Sequence, residues 1–362
     1  MKKLSLLLTF ALILGLLAGC AGTPVVYYSD CTCPTGAHTP ATPTTPAPVD
    51  PTQAPVASEG AVKTGLYIAT GLKGENAGEA DGKIEYDVTV AAVTVDENGV
   101  ILSCVLDSLG TSITFNASGV ITTDPAVQIL TKNELGDSYN MKAYGGAKYE
   151  WYEQAAALAN YAVGKTVEEL KNGAVNESGY ASDADLASTA TIYLGGYVAA
   201  IEGAVNNAKN LGAQAGDTLK LAIIPTIASS TDAEGETAGN AQLDVDVAAL
   251  TFNGDVITSC YIDALQAKAG FDAAGVITSD LSAPVQTKNE LGDNYNMKAW
   301  GGAKYEWYEQ AANFAAYVTG KTAAEVAGIA IEEGKPADAD LATSVTFAFG
   351  GFQALIEKAA QQ

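Results

Sequence analysis

The chain of 362 residues contains no arginine; its 19 basic residues are all lysines, set against 42 acidic ones for a net charge of −23. Nucleic-acid binding needs a basic footprint, usually with arginine forks on phosphates and guanines, so that class of partner is excluded. Histidine is nearly as scarce. The single one, His38, lies in a proline-rich stretch. Histidine general-base catalysis, histidine-ligated haem and the usual histidine-containing zinc sites are therefore excluded from whatever folds. Charged residues make up only 17% of the chain and hydrophobic ones 48%, which is ample material for packed cores. At about 150 residues per domain, the length suggests two domains and a remainder.

What the N-terminus does hold is an export signal. Met1-Lys2-Lys3 is a short positive region, and Leu4 to Leu17 is an apolar run of 14 residues interrupted by Ser5, Thr9 and Gly15. Such a run is too short to cross a bilayer permanently and fits the hydrophobic part of a signal peptide. It ends in Leu17-Ala18-Gly19-Cys20, which resembles the bacterial lipobox. That resemblance implies removal of residues 1–19 and acylation of the Cys20 thiol. The lipid is then the only expected membrane attachment.

Residues 20–59 read as a tether. Eight of the 12 prolines fall here, so the segment cannot bury a core. It is expected to be disordered and extended, at about 3 Å per residue where polyproline II forms, or roughly 100 Å in all. Cys31-Thr32-Cys33 within it is too closely spaced for an ordinary disulfide framework and lacks zinc-finger spacing.

The remainder is one unit written twice. Residues 131–156 and 287–312 differ at two of 26 positions, Ser138/Asn294 and Tyr144/Trp300, at an offset of 156. Cys104 and Cys260 share that offset and read as small buried hydrophobes. A period of this size marks a tandem duplication, with repeats at about 60–213 and 214–362.

Each repeat has the same coarse order. Residues 83–95 alternate apolar and polar, and Asp96 to Gly99 turns the chain into a strand over 100–106. A second hairpin is expected in 112–122, turning at Asn116 to Gly119. The counterparts are 243–252, 256–264 and 271–278. Helical patterns follow at about 149–163 and 167–171, then a long one at about 190–209. Antiparallel strands first and helices after is an α+β arrangement.

Chemistry is expected where loop becomes last helix. There the first repeat has Asp183-Ala184-Asp185-Leu186-Ala187-Ser188-Thr189-Ala190-Thr191. The second has Asp338-Ala339-Asp340-Leu341-Ala342-Thr343-Ser344-Val345-Thr346. Helix capping accounts for one hydroxyl or carboxylate per helix, not for a hydroxyl cluster present twice. A helix first turn also favours phosphate through its free amides and dipole.

Asp185-x-x-Ser188-Thr189-Ala190-Thr191 resembles the flavinylation motif of FMN-binding domains, Asp-x-x-Ser/Thr-Gly-Ala-Thr. In that family the last threonine takes FMN through a phosphodiester bond, installed by a magnesium-dependent flavin transferase that consumes FAD. The resemblance makes Thr191 and Thr346 the acceptors, with Asp185, Ser188, Asp340 and Thr343 as the accompanying motif residues. Thr189 and Ser344 stand where the family has glycine, and Val345 where it has alanine, so Val345 is expected to crowd the second site. The layout of lipobox, tether and duplicated motif is similar to the tandem FMN-binding lipoproteins of Gram-positive extracellular electron transfer. By that resemblance the fold is α+β, with two repeated FMN-binding domains that each pack helices on an antiparallel sheet.

Met141-Lys142-Ala143-Tyr144-Gly145-Gly146 and Met297-Lys298-Ala299-Trp300-Gly301-Gly302 join an aromatic to a glycine pair. A ring and a bare backbone suit a flat isoalloxazine, and lysine suits a phosphate or a flavin carbonyl. Met141, Tyr144, Gly145, Met297, Trp300 and Gly301 are accordingly candidate flavin neighbours. Trp151 and Trp307, at helical spacing, fit either a core or the flavin site. The resemblance implies a lipid-anchored carrier on the outer face of the cell membrane, without turnover chemistry of its own. It would pass electrons from a membrane quinone-linked NADH dehydrogenase system to extracellular acceptors. The rival reading is a non-redox solute-binding or adhesion lipoprotein in which the hydroxyl clusters are only caps.

Overall fold

The computed structural model describes residues 61–346 and 349–362. The signal segment, Cys20, the tether and the Cys31 and Cys33 thiols lie outside the described residues. The first half runs β1 (Lys63–Glu75), β2 (Gly82–Val95), β3 (Ile101–Phe115), α1 (Lys132–Leu135), α2 (Met141–Gly145), α3 (Trp151–Ala162), α4 (Val167–Ala174), α5 (Ala184–Thr189) and α6 (Gly195–Asn206). The second repeats that order as β4 (Thr218–Thr226), β5 (Gly239–Asn253), β6 (Val256–Phe271), α7 (Lys288–Leu291), α8 (Met297–Gly301), α9 (Trp307–Val318) and α10 (Ala323–Ala327). A small hairpin, β7 (Ile331–Glu332) and β8 (Lys335–Pro336), then precedes α11 (Ala339–Ala342) and α12 (Gly350–Ala360). The protein is thus mixed α/β with two antiparallel three-stranded sheets, ordered β1-β2-β3 and β4-β5-β6. Among the described residues no helix is long and apolar enough to cross a membrane.

Period-two patterning explains the sheets. Ile84, Tyr86, Val88, Val90 and Ala92 of β2 point to one face, and Ala91, Val93 and Val95 to the other. The second set lies under α3 and α6, in a core with Trp151, Leu158, Val198 and Ile201. In the other half Ala248, Leu250 and Phe252 do the same with Trp307, Phe314, Leu355 and Ile356. The thiols Cys104 and Cys260 sit in these outer cores, and burial pushes that of Cys104 up to about 12. They are inert packing groups, as their apolar context suggested.

The inner faces of the two sheets close on each other. Ile84, Val88 and Val90 share one core with Leu243, Val245 and Val247. Phe115 stacks on Phe271 with ring centroids 4.2 Å apart, and the Tyr86 hydroxyl donates across the interface to the Ala241 carbonyl at 2.8 Å. The edge contacts are reciprocal. Ala77 N–H donates to Gly275 and Ala233 N–H to Gly119, each at 2.8 Å. Asn76 accepts from Ile277 N–H at 2.9 Å, and its counterpart Asp232 from Ile121 N–H at 2.8 Å. Such pairing follows a pseudo-twofold axis, as in an isologous dimer. The repeats are therefore two halves of one four-layer body, helices–sheet–sheet–helices, with a shared central core.

Three expectations are corrected. Each half opens with a strand, β1 and β4, that the expected hairpins do not include; in β1 glycines interrupt the period-two pattern. One of them, Gly65, is required by packing, since an added Cβ would lie 2.0 Å from the Ala204 carbonyl oxygen. The second hairpin is not a strand pair: β3 runs unbroken to Phe115, and its return is a single bridge to Ile121. The last helix, expected from about 190 to 209, begins only at Gly195 as α6, and a separate short helix, α5, precedes it across a link at residues 190–194.

Candidate functional site

That break decides where the hydroxyls lie. They do not occupy the first turn of the last helix, which begins at Gly195; they occupy the end of α5 and the link beyond it. The Asp183 carboxylate caps the start of α5, accepting from Asp185 N–H and Leu186 N–H at 3.0 Å. At the other end, Ser188 Oγ bonds back to the Asp185 carbonyl at 2.7 Å and Thr189 Oγ1 to that of Leu186 at 3.1 Å. Such back-bonding competes with helix continuation, and the chain leaves the helix at Ala190. The next turn is fixed elsewhere, where Leu194 and Gly195 N–H donate to the Gly179 carbonyl.

Thr191 is held differently. Its N–H and Oγ1 reach Gln154 Oε1 at 2.8 and 3.2 Å, and Ile192 N–H reaches the same oxygen at 3.1 Å. In the second half Thr343 and Ser344 bond back to Asp340 and Leu341, while Thr346 N–H and Oγ1 reach Gln310 Oε1 at 2.7 and 3.2 Å. Thr191 is exposed and Thr346 half-buried. Val345 does not crowd the site. It turns inward into the core with Leu341 and Phe349, as Ala190 does in the first half.

The turn carrying the aromatic is built by the same helix. Asn140 at φ 61° and Gly146 at φ 64° bracket α2, as Asn296 at 63° and Gly302 at 65° bracket α8. The left-handed closing position explains the second glycine of each pair. The buried Glu150 carboxylate accepts from Met141 N–H at 2.7 Å and Lys142 N–H at 3.1 Å. Glu306 does the same for Met297 and Lys298. One turn along α3, Gln154 Nε2 donates to the Tyr149 carbonyl at 2.9 Å and lies 3.5 Å from Met141 Sδ. A single helix thus joins the turn to the Thr191 link: Glu150 holds the first, Gln154 the second.

Among the candidates, Met141 and Thr191 meet on Gln154, and Met297 and Thr346 on Gln310, two glutamines that the sequence patterns do not single out. Tyr144 and Trp300 stand free on the turn, 83% and 87% exposed. An added Cβ would meet nothing within 4 Å at Gly146, Gly301 or Gly302, so the backbone after each ring is open to solvent. Asp185 is exposed on α5. Trp151 and Trp307 belong to the cores. Lys142 is taken up by Glu153 and Asp137, so Lys148, with Nζ 3.5 Å from the Ser188 carbonyl, is the lysine beside the hydroxyl cluster. Two clefts, of about 280 Å³ at Lys288 and Tyr295 and about 430 Å³ at Ile121 and Ile227, are lined by other residues.

The strands behind these turns carry buried acids. Asp107 accepts from Ser108 N–H at 2.7 Å and Asn133 N–H at 3.1 Å, and Asp263 makes the equivalent bonds in the second half. Burial pushes their carboxyls up to about 7 and about 6, against the opposing pull of these hydrogen bonds. A raised native pKa means the folded state binds the proton more tightly than the unfolded chain. Their contribution is thus fully present below about pH 4, the unfolded range, and is lost as pH rises through 6 to 7. Asp107→Asn should flatten the fall of Tm between pH 4 and 8 by an amount corresponding to a few kcal/mol. An unchanged Tm–pH curve would show that Asp107 is ionised in the fold.

No family description, curated protein or solved structure matches the chain.

Proposed function

We propose that the protein is a lipid-anchored flavoprotein that carries FMN on Thr191 and Thr346 and serves as an extracellular electron carrier. One observation carries the reading. In both duplicated clusters the last threonine alone is bonded to a buried glutamine instead of to its own helix, and that glutamine also reaches Met141 or Met297, in the turn that carries the exposed aromatic and the open glycines. Those features fit the group: a hydroxyl for the phosphodiester, a ring to stack on, and backbone open to close approach. Bound FMN would supply the redox chemistry. The chain's own residues attach it, hold the acceptor loop and offer Tyr144 or Trp300 to its plane.

On this reading Cys20 is acylated, residues 20–59 link the lipid to the folded body, and a flavin transferase is the modifying partner. A membrane quinone-linked dehydrogenase is the donor and extracellular compounds are the acceptors. The test is the intact mass of protein co-expressed with a flavin transferase. The expected result is a gain of two FMN-phosphoryl units and a yellow colour that survives denaturation. An unshifted mass and a colourless protein would favour the adhesion or solute-binding reading.

A further inference from the structure

We infer that Gln154 and Gln310 are positioning residues for the acceptor hydroxyls, a step that rests on the flavinylation reading above. Both side chains are fully buried, at 0% exposure, on the apolar face of their helices. A buried amide there is costly unless every bond is made, and each is made to the acceptor segment or to the helix start. Backbone N–H groups of Thr191 and Ile192 fix which amide atom faces the loop, because only the oxygen can accept. The same oxygen lies 3.2 Å from Thr191 Oγ1, so the hydroxyl must be the donor in that bond. Its proton points inward and its lone pairs point to solvent.

That polarity suits attack on phosphorus. In the transfer, Thr191 Oγ forms a new O–P bond at the flavin-side phosphate of a flavin dinucleotide. The pyrophosphate P–O bond breaks, adenosine monophosphate leaves with its electron pair, and the hydroxyl proton passes to a base of the transferase or to water. No electrons are exchanged. An amide is no base, so the glutamine acts by orientation alone, and its two backbone bonds persist after Oγ has lost its proton. Ser188 and Thr189 donate instead to their own helix carbonyls, which leaves them outside the clamp.

The experiment loads full-length protein with purified transferase, magnesium and FAD, and follows each site by peptide mass. Gln154→Leu should slow loading of Thr191 about 100-fold in kcat with KM for the protein unchanged, as expected for a misplaced nucleophile. Thr346 in the same molecules should load at the wild-type rate. Gln154→Glu keeps acceptors for the two backbone donors, and its folding is checked by Tm. There, loading of Thr191 should rise with pH as the buried carboxyl ionises and takes over the acceptor role, while Thr346 shows no such step. Wild-type loading of Thr191 in Gln154→Leu, a rise in KM without loss of kcat, or a Glu variant whose pH profile parallels that of Thr346 would overturn the inference. Wild-type protein that takes no flavin at either threonine would instead overturn the assignment of the acceptors.

Discussion

Thr191→Ala is expected to reduce flavin loading from two units to one, while Ser188→Ala and Thr189→Ala leave both in place. The motif resemblance alone picks Thr191 from three hydroxyls that lie within four consecutive residues of one cluster. Their hydrogen bonds differ. Ser188 and Thr189 spend their protons on the Asp185 and Leu186 carbonyls, one turn back along α5. Thr191 has left the helix and is exposed. Thr346→Ala should remove the other unit, and the double variant should be colourless. Because Val345 is turned into the core, the second site is not blocked, and its half-buried threonine should load more slowly rather than remain empty. Intact mass with peptide mapping decides between these outcomes. Loss of a unit in Ser188→Ala, or an adduct retained in the double variant, would move the acceptor to another hydroxyl. A second unit missing from wild-type protein would mean that half-burial of Thr346 is prohibitive.

Much of the outer architecture was legible because it rests on local signals. The alternation in β2, the turn at Asp96 to Gly99 and the buried faces of α3 and α9 all appear where their patterns place them. Two features were missed for physical reasons. The break between α5 and α6 depends on side-chain back-bonding and on Gln154, 37 residues away, which no local propensity contains. The shared core depends on a surface that looks the same in sequence whether it faces a neighbouring sheet or another copy. A signal for Gln154 did exist: it falls on the stripe of Trp151, Ala155 and Leu158, where a lone amide needs a partner. Read that way, a polar residue on an apolar helical face points to whatever loop lies beneath it.

Phe115→Ala should destabilise both halves together, by about 3–5 kcal/mol, and the parent chain should unfold in one transition. Two independent domains would predict the opposite: one half weakened, the other untouched. The difference lies in what each sheet's inner face meets. Among the described residues, no helix lies over Ile84, Val88 and Val90; their cover is Leu243, Val245 and Val247 of the other half. Phe115 and Phe271 stack with an angle of 6° between ring planes, so truncating either opens a cavity against both sheets. Loss of the aromatic pair adds to the lost burial. Calorimetry of the folded body should give equal calorimetric and van't Hoff enthalpies, and hydrogen exchange should show α3 and α9 losing protection in parallel in the variant. Two resolved transitions, or protection lost only from α3, would restore the picture of separate domains. A single transition has a functional corollary. Because the Thr191 and Thr346 links are carried on opposite outer layers of one body, heat or denaturant would then open both at once, and on the flavin reading no half-folded state would keep one proposed site intact.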